Sequence, residues 1–262
     1  MFPLRMAVAT RSFQEPLKQS VQTAGTMGAQ GVQFELRNEV RPGELSETGR
    51  RQLLHYLEEM NLTVASTMFP TRRSFYDLEG LDTRLAGTRQ AMEFTYQLNA
   101  TVMTLRIGRI PSEPESEEYQ ILRQVMNDLA RHGNRVGVTI AITPTRDEPA
   151  FLLKLLSEIT QGPVGINFDP ATFIMSGQNP SDALAKLEEQ LMHVLVRDAI
   201  RDIDGGGMEV PVGRGEVDWE EFLALLDEAE YKNWLIIDRT QGEDRPGDIR
   251  RAMQYLKNVA TG

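Results

Sequence analysis

Three short apolar runs in the C-terminal half, each ending in an acid, decide the fold. They are Val164-Gly-Ile-Asn-Phe-Asp169, Leu191-Met-His-Val-Leu-Val-Arg-Asp198 and Trp234-Leu-Ile-Ile-Asp238. Parallel strands are covered on both faces, so they are continuously apolar rather than alternating. Functional side chains of such sheets collect at the carboxyl ends of the strands. The runs therefore predict parallel strands that carry polar groups to one shared edge.

The strand pattern recurs along the chain, with helical patterns between the strands. Leu53, Leu54, Leu57 and Met60 show the spacing of a helix that packs one face against a sheet. Eight such units in 262 residues fit one (β/α)8 barrel, for which about 250 residues are typical. We therefore predict an α/β fold with a single TIM-barrel domain over residues 1–262, and a doubly wound open sheet is the alternative. The predicted strands are Arg5–Ala9, Gly31–Arg37, Thr63–Thr67, Thr101–Arg106, Val138–Thr143, Val164–Asp169, Met192–Asp198 and Trp234–Arg239.

Local signals place several helix ends. Asn179 before Pro180 is typical of an N-cap followed by proline in the first turn. Asp218 with Glu221 three residues later resembles a capping box. Gly133 is the expected stop of the helix that precedes the fifth strand.

Composition excludes several classes of function. The chain has no Cys, which excludes disulfides, thiolate metal sites and a cysteine nucleophile. Its formal net charge of −10 argues against nucleic-acid binding. No apolar run is long enough for a membrane span, and the first residues do not form a secretory signal, so we expect a cytoplasmic location. Gly205-Gly-Gly207 has no strand before it, so no nucleotide cofactor is expected.

Polar residues at the strand ends are the candidate functional groups, because those ends converge on one mouth. An unpaired carboxylate at Asp238, beside an apolar run, would be costly, which favours a functional role. Asp169 has a turn or helix cap as its alternative role, and His193 has that of a buried core histidine. The arginines form either structural ion pairs or a site for a phosphate or carboxylate, which arginine binds with two parallel hydrogen bonds. The candidates are Glu35, Arg37, Arg106, Arg109, Thr143, Asp169, His193, Arg197, Asp198, Asp238 and Arg239.

The chain resembles the xylose isomerase-like TIM barrel superfamily, also called the sugar phosphate isomerase/epimerase family. The similarity runs nearly end to end. It is densest in Gly165-Ile-Asn-Phe-Asp-Pro170, His193-Val-Leu-Val-Arg-Asp198, Pro211-Val-Gly-Arg-Gly-Glu-Val-Asp-Trp-Glu-Glu-Phe222 and Leu235-Ile-Ile-Asp238. The resemblance implies a barrel that acts on a small polyhydroxylated compound.

The resemblance also implies where a divalent metal such as Mg, Mn or Zn is held. Members of the family typically use a Glu on strand five, an Asp on strand six, a His or Gln on strand seven and a Glu on strand eight. These positions fall on Thr143, Asp169, Leu195 and Asp238. Only Asp169 and Asp238 remain as metal ligands. Since a hard cation needs several oxygen ligands, we expect a degenerate site, weak or absent.

Two functions follow from the resemblance. The first is a sugar or sugar-phosphate isomerase or epimerase with weakened or lost metal dependence. In it, Asp238 and Asp169 are catalytic, and Arg197, Arg106, Glu35, His193 and Thr143 bind the substrate. The second is a non-catalytic sugar-binding or regulatory barrel of the same descent. DNA repair of the AP endonuclease type is disfavoured, because it needs a His-rich zinc cluster and the chain has three His. The expected partner is a small sugar or sugar phosphate, with no nucleic acid and no membrane, and self-association into a homo-oligomer is left open.

Overall fold

A computed structural model describes residues 4–261 and contains a closed barrel of eight parallel strands. All eight predicted strands are present. The first and last close the barrel by pairing Arg5 with Trp234 and Val8 with Ile237, which rules out the open sheet. Its strands are β1 Arg5–Ala9, β2 Gly31–Glu35, β3 Thr63–Met68, β4 Val102–Leu105, β5 Thr139–Ile142, β6 Val164–Phe168, β7 Leu191–Val196 and β10 Trp234–Ile237, and a separate hairpin is formed by β8 Asp198–Arg201 and β9 Gly207–Val210.

Several strands end one or more residues before their predicted polar ends. Arg106, Asp169 and Asp238 each follow the last paired residue of a strand. The polar side chains therefore stand where the backbone leaves the sheet and enters a loop. In the seventh segment Asp198 begins the hairpin instead of ending the barrel strand.

Helices cover the outside of the barrel. The apolar core lies mainly between them and the sheet, where Phe34, Phe168 and Trp219 are fully buried. No helix within residues 4–261 has the length and apolar character needed to span a membrane. The helices are α1 Leu17–Thr26, α2 Glu47–Glu59, α3 Leu81–Gln97, α4 Glu117–Val136, α5 Pro149–Ser157, α6 Pro170–Ser176, α7 Pro180–Leu187, α8 Trp219–Glu228 and α9 Arg245–Thr261.

Two of the three predicted helix ends are confirmed. Asn179 accepts hydrogen bonds from the first turn of α7, and Asp218 accepts one from Glu221 N. The predicted stop at Gly133 is wrong, because α4 continues to Val136 and ends at Gly137, whose φ is 81°. Gly133 serves close packing instead, since a Cβ there would lie 2.3 Å from the carbonyl oxygen of Val138.

The inside of the barrel holds small and apolar side chains below the mouth. Ala7, Ala9 and Ile236 form part of this inner cluster together with Leu195. His193 lies two residues before Leu195 on β7, so both point inward. Burial, with a smaller contribution from the charge of Arg5, lowers the pKa of His193 from 6.5 to about 3. His193 is therefore a neutral core side chain at ordinary pH.

The Asp198 carboxylate organises the segment Pro211–Trp219, which carries the family-like sequence. It accepts hydrogen bonds from the backbone N–H groups of Ala199, Gly213, Gly215 and Val217 and from the indole Nε1 of Trp219, at 2.9–3.2 Å. Gly215 is required there, because a Cβ would lie 2.1 Å from Asp198 Oδ1. The carboxylate thus fixes the base of the β8–β9 hairpin to the start of α8.

The substitution Asp198→Asn should lower the free energy of unfolding by about 3 kcal/mol. An amide presents an NH2 group to donors that need an acceptor, which leaves buried N–H groups unpaired. Urea denaturation measures the loss. The control is Asp218→Asn, the same chemical change in the same segment, which should stay within about 0.5 kcal/mol because Asn and Asp are equivalent N-caps. Equal effects of the two substitutions would contradict the role of Asp198.

Acid should destabilise the protein partly through His193. The unfolded chain takes up a proton at this residue below about pH 6.5, whereas the folded chain resists protonation down to about pH 3. Stability therefore falls as the pH falls through this window, by about 1.4 kcal/mol per pH unit for this one group. The variant His193→Gln should lose that much of the slope in denaturation measured at several pH values. His55→Gln, on the exposed side of α2, should keep the wild-type slope; an unchanged slope in His193→Gln would refute the assignment.

Candidate functional site

A cavity of about 290 Å³ opens at the carboxyl ends of the barrel strands. Its charged lining consists of three arginines, Arg11, Arg106 and Arg197, and it contains no carboxylate. Thr143 and Leu195 line it as well. Gln33 and Asn167 add polar groups, and Phe69 adds an aromatic face. The mouth is therefore a small, cationic and partly apolar pocket.

The two mouth acids lie behind these arginines, each in an ion pair. Asp169 Oδ2 accepts hydrogen bonds from Arg197 Nη1 at 2.6 Å and from Thr172 Oγ1 at 2.8 Å. Asp238 accepts hydrogen bonds from Arg11 Nη2 and, at 2.9 Å, from Ser12 Oγ. Burial raises the pKa of Asp238, but the charges of Arg11 and Arg197 outweigh it and hold the pKa below its ordinary value. Both acids are fully buried.

Glu209, on β9, is the centre of the ion-pair network beneath the mouth. It accepts hydrogen bonds from Arg197 Nη2 at 2.6 Å, Arg239 Nη1 at 2.8 Å and the backbone N–H of Thr240 at 2.8 Å. Burial raises the pKa of Glu209, but the charge of Arg197 and the hydrogen bonds from Thr240 together lower it by more, so the net shift is downward. On the other side, Arg239 Nε bonds Asp248 at 2.9 Å. The hairpin thereby holds Arg197, which lines the mouth, and Arg239, which lies beneath it, in fixed positions.

The arginines differ in how strongly ion pairs hold them. Arg197 and Arg239 are each held in buried ion pairs, and the side chain of each is 9% exposed. Arg106 is 54% exposed and lies 3.8 Å from Asp169, too far for a hydrogen bond. Arg106 is therefore the mouth arginine that is most available to a ligand.

The four positions at which the resemblance implies a metal are occupied by Thr143, Leu195 and two acids that form ion pairs. Thr143 Oγ1 accepts a hydrogen bond from Asn167 Nδ2 at 2.8 Å, and Leu195 has no donor atom. Asp169 and Asp238 each have a guanidinium partner. In residues 4–261, no group of three or more His, Cys, Asp or Glu side chains is arranged to hold a metal ion.

Three buried polar atoms at the mouth lack a partner within the described chain. They are Asn167 Oδ1, Asp169 Oδ1 and Arg11 Nε. Buried polar groups are almost always hydrogen-bonded, and two of these three atoms belong to residues that line the cavity, Asn167 and Arg11.

Of the eleven sequence candidates, Arg106, Thr143 and Arg197 line the cavity and the other eight do not; Glu35 and His193 are two of those eight. The Glu35 carboxylate is bound within its own loop, where it accepts hydrogen bonds from Asn38 Nδ2 at 2.7 Å and from the backbone N–H groups of Arg37 and Asn38. It thereby caps the loop after β2. His193 lies deeper in the barrel, 1% exposed. Five of the sequence candidates lie at the mouth or directly behind it: Thr143, Asp169, Arg106, Arg197 and Asp238. Arg11, Ser12 and Glu209 were missed, because no motif marks them.

Curated relatives are inosose dehydratases from clostridia. The protein from Clostridium beijerinckii is 26% identical over 165 residues, and the match covers 55% of this chain and 54% of the relative. That from Clostridium botulinum strain Eklund 17B is 24% identical over 173 residues, and the match covers 55% of this chain and 56% of the relative. The chain thus spans about half the length of the curated relatives it matches.

Solved structures resemble the whole chain. A xylose isomerase domain protein from Planctomyces limnophilus superimposes with a TM-score of 0.88 and 22% identity, covering 98% of both chains. A D-tagatose 3-epimerase-like protein gives a TM-score of 0.81 and 17% identity, covering 98% of this chain and 97% of the other. At these identities the likeness shows the fold.

The family assignment comes from a sequence model. The model of the xylose isomerase-like TIM barrel family matches residues 21–259, which include every mouth residue described above except Arg11 and Ser12. The predicted resemblance is confirmed: this chain belongs to the xylose isomerase-like TIM barrel family.

Proposed function

We propose that the barrel mouth binds a small polyhydroxylated anion, a sugar acid or sugar phosphate, without a resident divalent ion. The observation that carries this proposal is the cationic lining of the cavity, to which Arg11, Arg106 and Arg197 contribute, with both acids behind them. A volume of about 290 Å³ suits a ligand of about one sugar ring. The names of the relatives, which include a dehydratase of inosose and sugar epimerases, support a polyhydroxylated ligand.

In this proposal Arg197 supplies the positive charge that a bound metal ion would otherwise supply. Its guanidinium bonds Asp169 directly, and Asp238 contributes to its charge environment. Burial alone would lower the pKa of Arg197, but Asp169, Asp238 and Glu209 raise it, so the side chain stays charged. A fixed guanidinium supplies positive charge and directional N–H donors to a carbonyl, carboxylate or hydroxyl group. It does so without the oxygen ligands that a metal ion would need.

Recognition without turnover is the function that this geometry supports best. A general base works best when its pKa lies near the working pH. Asp238 instead has a lowered pKa and two hydrogen-bond donors on its carboxylate. Thr143 cannot act as a second base on the opposite side of the ligand.

Isomerase or epimerase activity is the second candidate, and one observation favours it. Arg11, which covers Asp238, is 33% exposed and lies in the short 3-10 turn Thr10–Phe13. A bound anion that pairs with Arg11 would draw it away and free Asp238 to accept a proton. Asp169 would then accept a ligand hydroxyl through its unpaired Oδ1.

Titration calorimetry with an aldonic acid, a sugar phosphate and a neutral sugar tests the binding proposal. The two anions should bind, the neutral sugar should bind more weakly, and dialysis against EDTA should not change either affinity. Arg106→Met should weaken anion binding by about tenfold or more, since it removes a charge-assisted hydrogen bond. Arg109→Met is the matched control, because Arg109 lines a different cavity. Equal binding of neutral and anionic compounds, or loss of binding in EDTA that Mg²⁺ restores, would refute the proposal.

Solvent proton exchange separates the two candidates. Binding alone predicts no deuterium incorporation beside the carbonyl of a bound ketose phosphate or aldose phosphate in D2O, as read by NMR. Incorporation that Asp238→Asn abolishes, with the folded structure retained by circular dichroism, would replace the binding candidate with the isomerase candidate. Asp218→Asn, an acid on the surface at the start of α8, controls for the chemical change.

A further inference from the structure

An arginine-rich groove lies beside the mouth on the same rim of the barrel. It has a volume of about 660 Å³ and is formed by the loops after β2 and β3 and by the start of α3. Its lining contains a single acid, Glu79, and five arginines, in a chain whose formal net charge is −10. The five are Arg37, Arg41, Arg72, Arg73 and Arg84. Two of them, Arg41 and Arg73, form ion pairs with nearby acids.

The other three guanidinium groups have no carboxylate partner in the part of the chain that the structure describes. Arg37 packs over the ring of Phe69, with 5.4 Å between its Cζ and the ring centroid. Arg72 is exposed and forms neither an ion pair nor a side-chain hydrogen bond there. Arg84 donates to the backbone carbonyl oxygen of Glu79 at 3.0 Å, and this acceptor carries no full charge. The arginine groove therefore presents positive charge that the chain itself does not neutralise.

An acidic loop follows the next strand around the rim. Residues 110–122 include four acids and no basic residue. Glu113 and Glu115 lie in the loop after β4, and both are exposed. Their carboxylates form no ion pair or hydrogen bond with any other residue that the structure describes. Glu117 and Glu118 begin α4, where the helix dipole favours negative charge. Glu113 and Glu115 are thus the acids of this loop that lack any local role.

The arginine groove and the acidic loop lie side by side. β2, β3 and β4 are neighbours in the barrel, so the loops that follow them are neighbours on its rim. Adjacent patches of opposite charge on one face are self-complementary about a two-fold axis that passes between them, because each patch then meets the opposite patch of a second copy. Every contact occurs twice in such an arrangement, and the assembly closes at two copies.

The same face also exposes a large apolar side chain. Leu78 lies next to Glu79 in the loop after β3, and 64% of its surface is exposed. Exposed ion pairs contribute little affinity one by one, whereas apolar side chains are characteristic of the centre of a protein interface. Leu78 therefore supplies an apolar contact to a face whose charges determine the orientation of the partner.

We propose that a second copy of this chain docks on this face, with the acidic loop of each copy in the arginine groove of the other. The unpaired guanidinium groups of one copy then face Glu113 and Glu115 of the second copy. The chain itself carries the complementary unpaired acids, which favours a second copy over a small polyanion as the occupant. The interface is independent of what the mouth binds, since none of Arg37, Arg72, Glu113 and Glu115 lines the mouth.

Sedimentation velocity with charge-reversed variants tests the interface. The wild type should sediment as a dimer in about 50 mM NaCl and dissociate in about 500 mM NaCl, because salt screens exposed charges. The groove variant Arg37→Glu/Arg72→Glu and the loop variant Glu113→Arg/Glu115→Arg should each associate at least about tenfold more weakly, since like charges then meet. An equimolar mixture of the two variants should dimerise again, because both contacts then join opposite charges. The quadruple variant should dimerise by itself for the same reason.

The control is Arg50→Glu/Arg51→Glu, on α2 outside the groove, which reverses the same charge and should associate like the wild type. A wild type that stays monomeric at low salt would overturn the proposal. So would charge-reversed variants that associate like the wild type, or variants folded by circular dichroism whose mixture stays monomeric. Tripolyphosphate probes the other occupant: calorimetric binding to a monomeric wild type that the groove variant loses would replace the second copy with a small polyanion.

Discussion

The carboxylate of Asp198 is the constraint on which the mouth depends. Five N–H donors surround it, four from the backbone and one from Trp219. Burying a carboxylate is costly unless it is fully hydrogen-bonded, and here three of the four backbone donors, Gly213, Gly215 and Val217, lie in the segment that connects β9 to α8. The segment therefore has one low-energy path, and that path fixes the base of the β8–β9 hairpin. Glu209 lies one residue from that base and pairs with Ala199 across the hairpin. Its position is therefore fixed together with the base.

Glu209 positions Arg197 and Arg239 through ion pairs, and Arg197 in turn positions Asp169. Removing one partner of such a buried network leaves another charge uncompensated. The network is therefore expected to respond as a unit, which gives the mouth a fixed set of charges before any ligand arrives. A prearranged site loses less conformational entropy on binding than one that must be ordered by its ligand.

The sequence was sufficient for the fold and for part of the site. Strand periodicity, chain length and the run from Val164 to Asp238 predicted the closed barrel, because buried parallel strands leave a direct signature in composition. Thr143 and Leu195 were predicted to depart from the family's metal ligands, and both line the mouth. Arg11, Ser12 and Glu209 were missed, since each reaches the mouth from an element outside the barrel strands. Their place depends on loop geometry that no local pattern encodes. The helix end predicted at Gly133 was wrong for a similar reason. A glycine indicates either a helix end or a close contact, and only the packing of α4 against Val138 decides between the two.

The charge distribution around the mouth favours a ligand with two different ends. A neutral polyol would gain little from the guanidinium groups that line the mouth, and each of them repels its neighbours when the site is empty. An anion at one end relieves part of that repulsion, whereas a hydroxyl group at the other end satisfies Asn167 Oδ1, a buried acceptor. In the proposed function, this acceptor and the arginines of the mouth therefore favour a ligand that carries both an anionic group and hydroxyl groups.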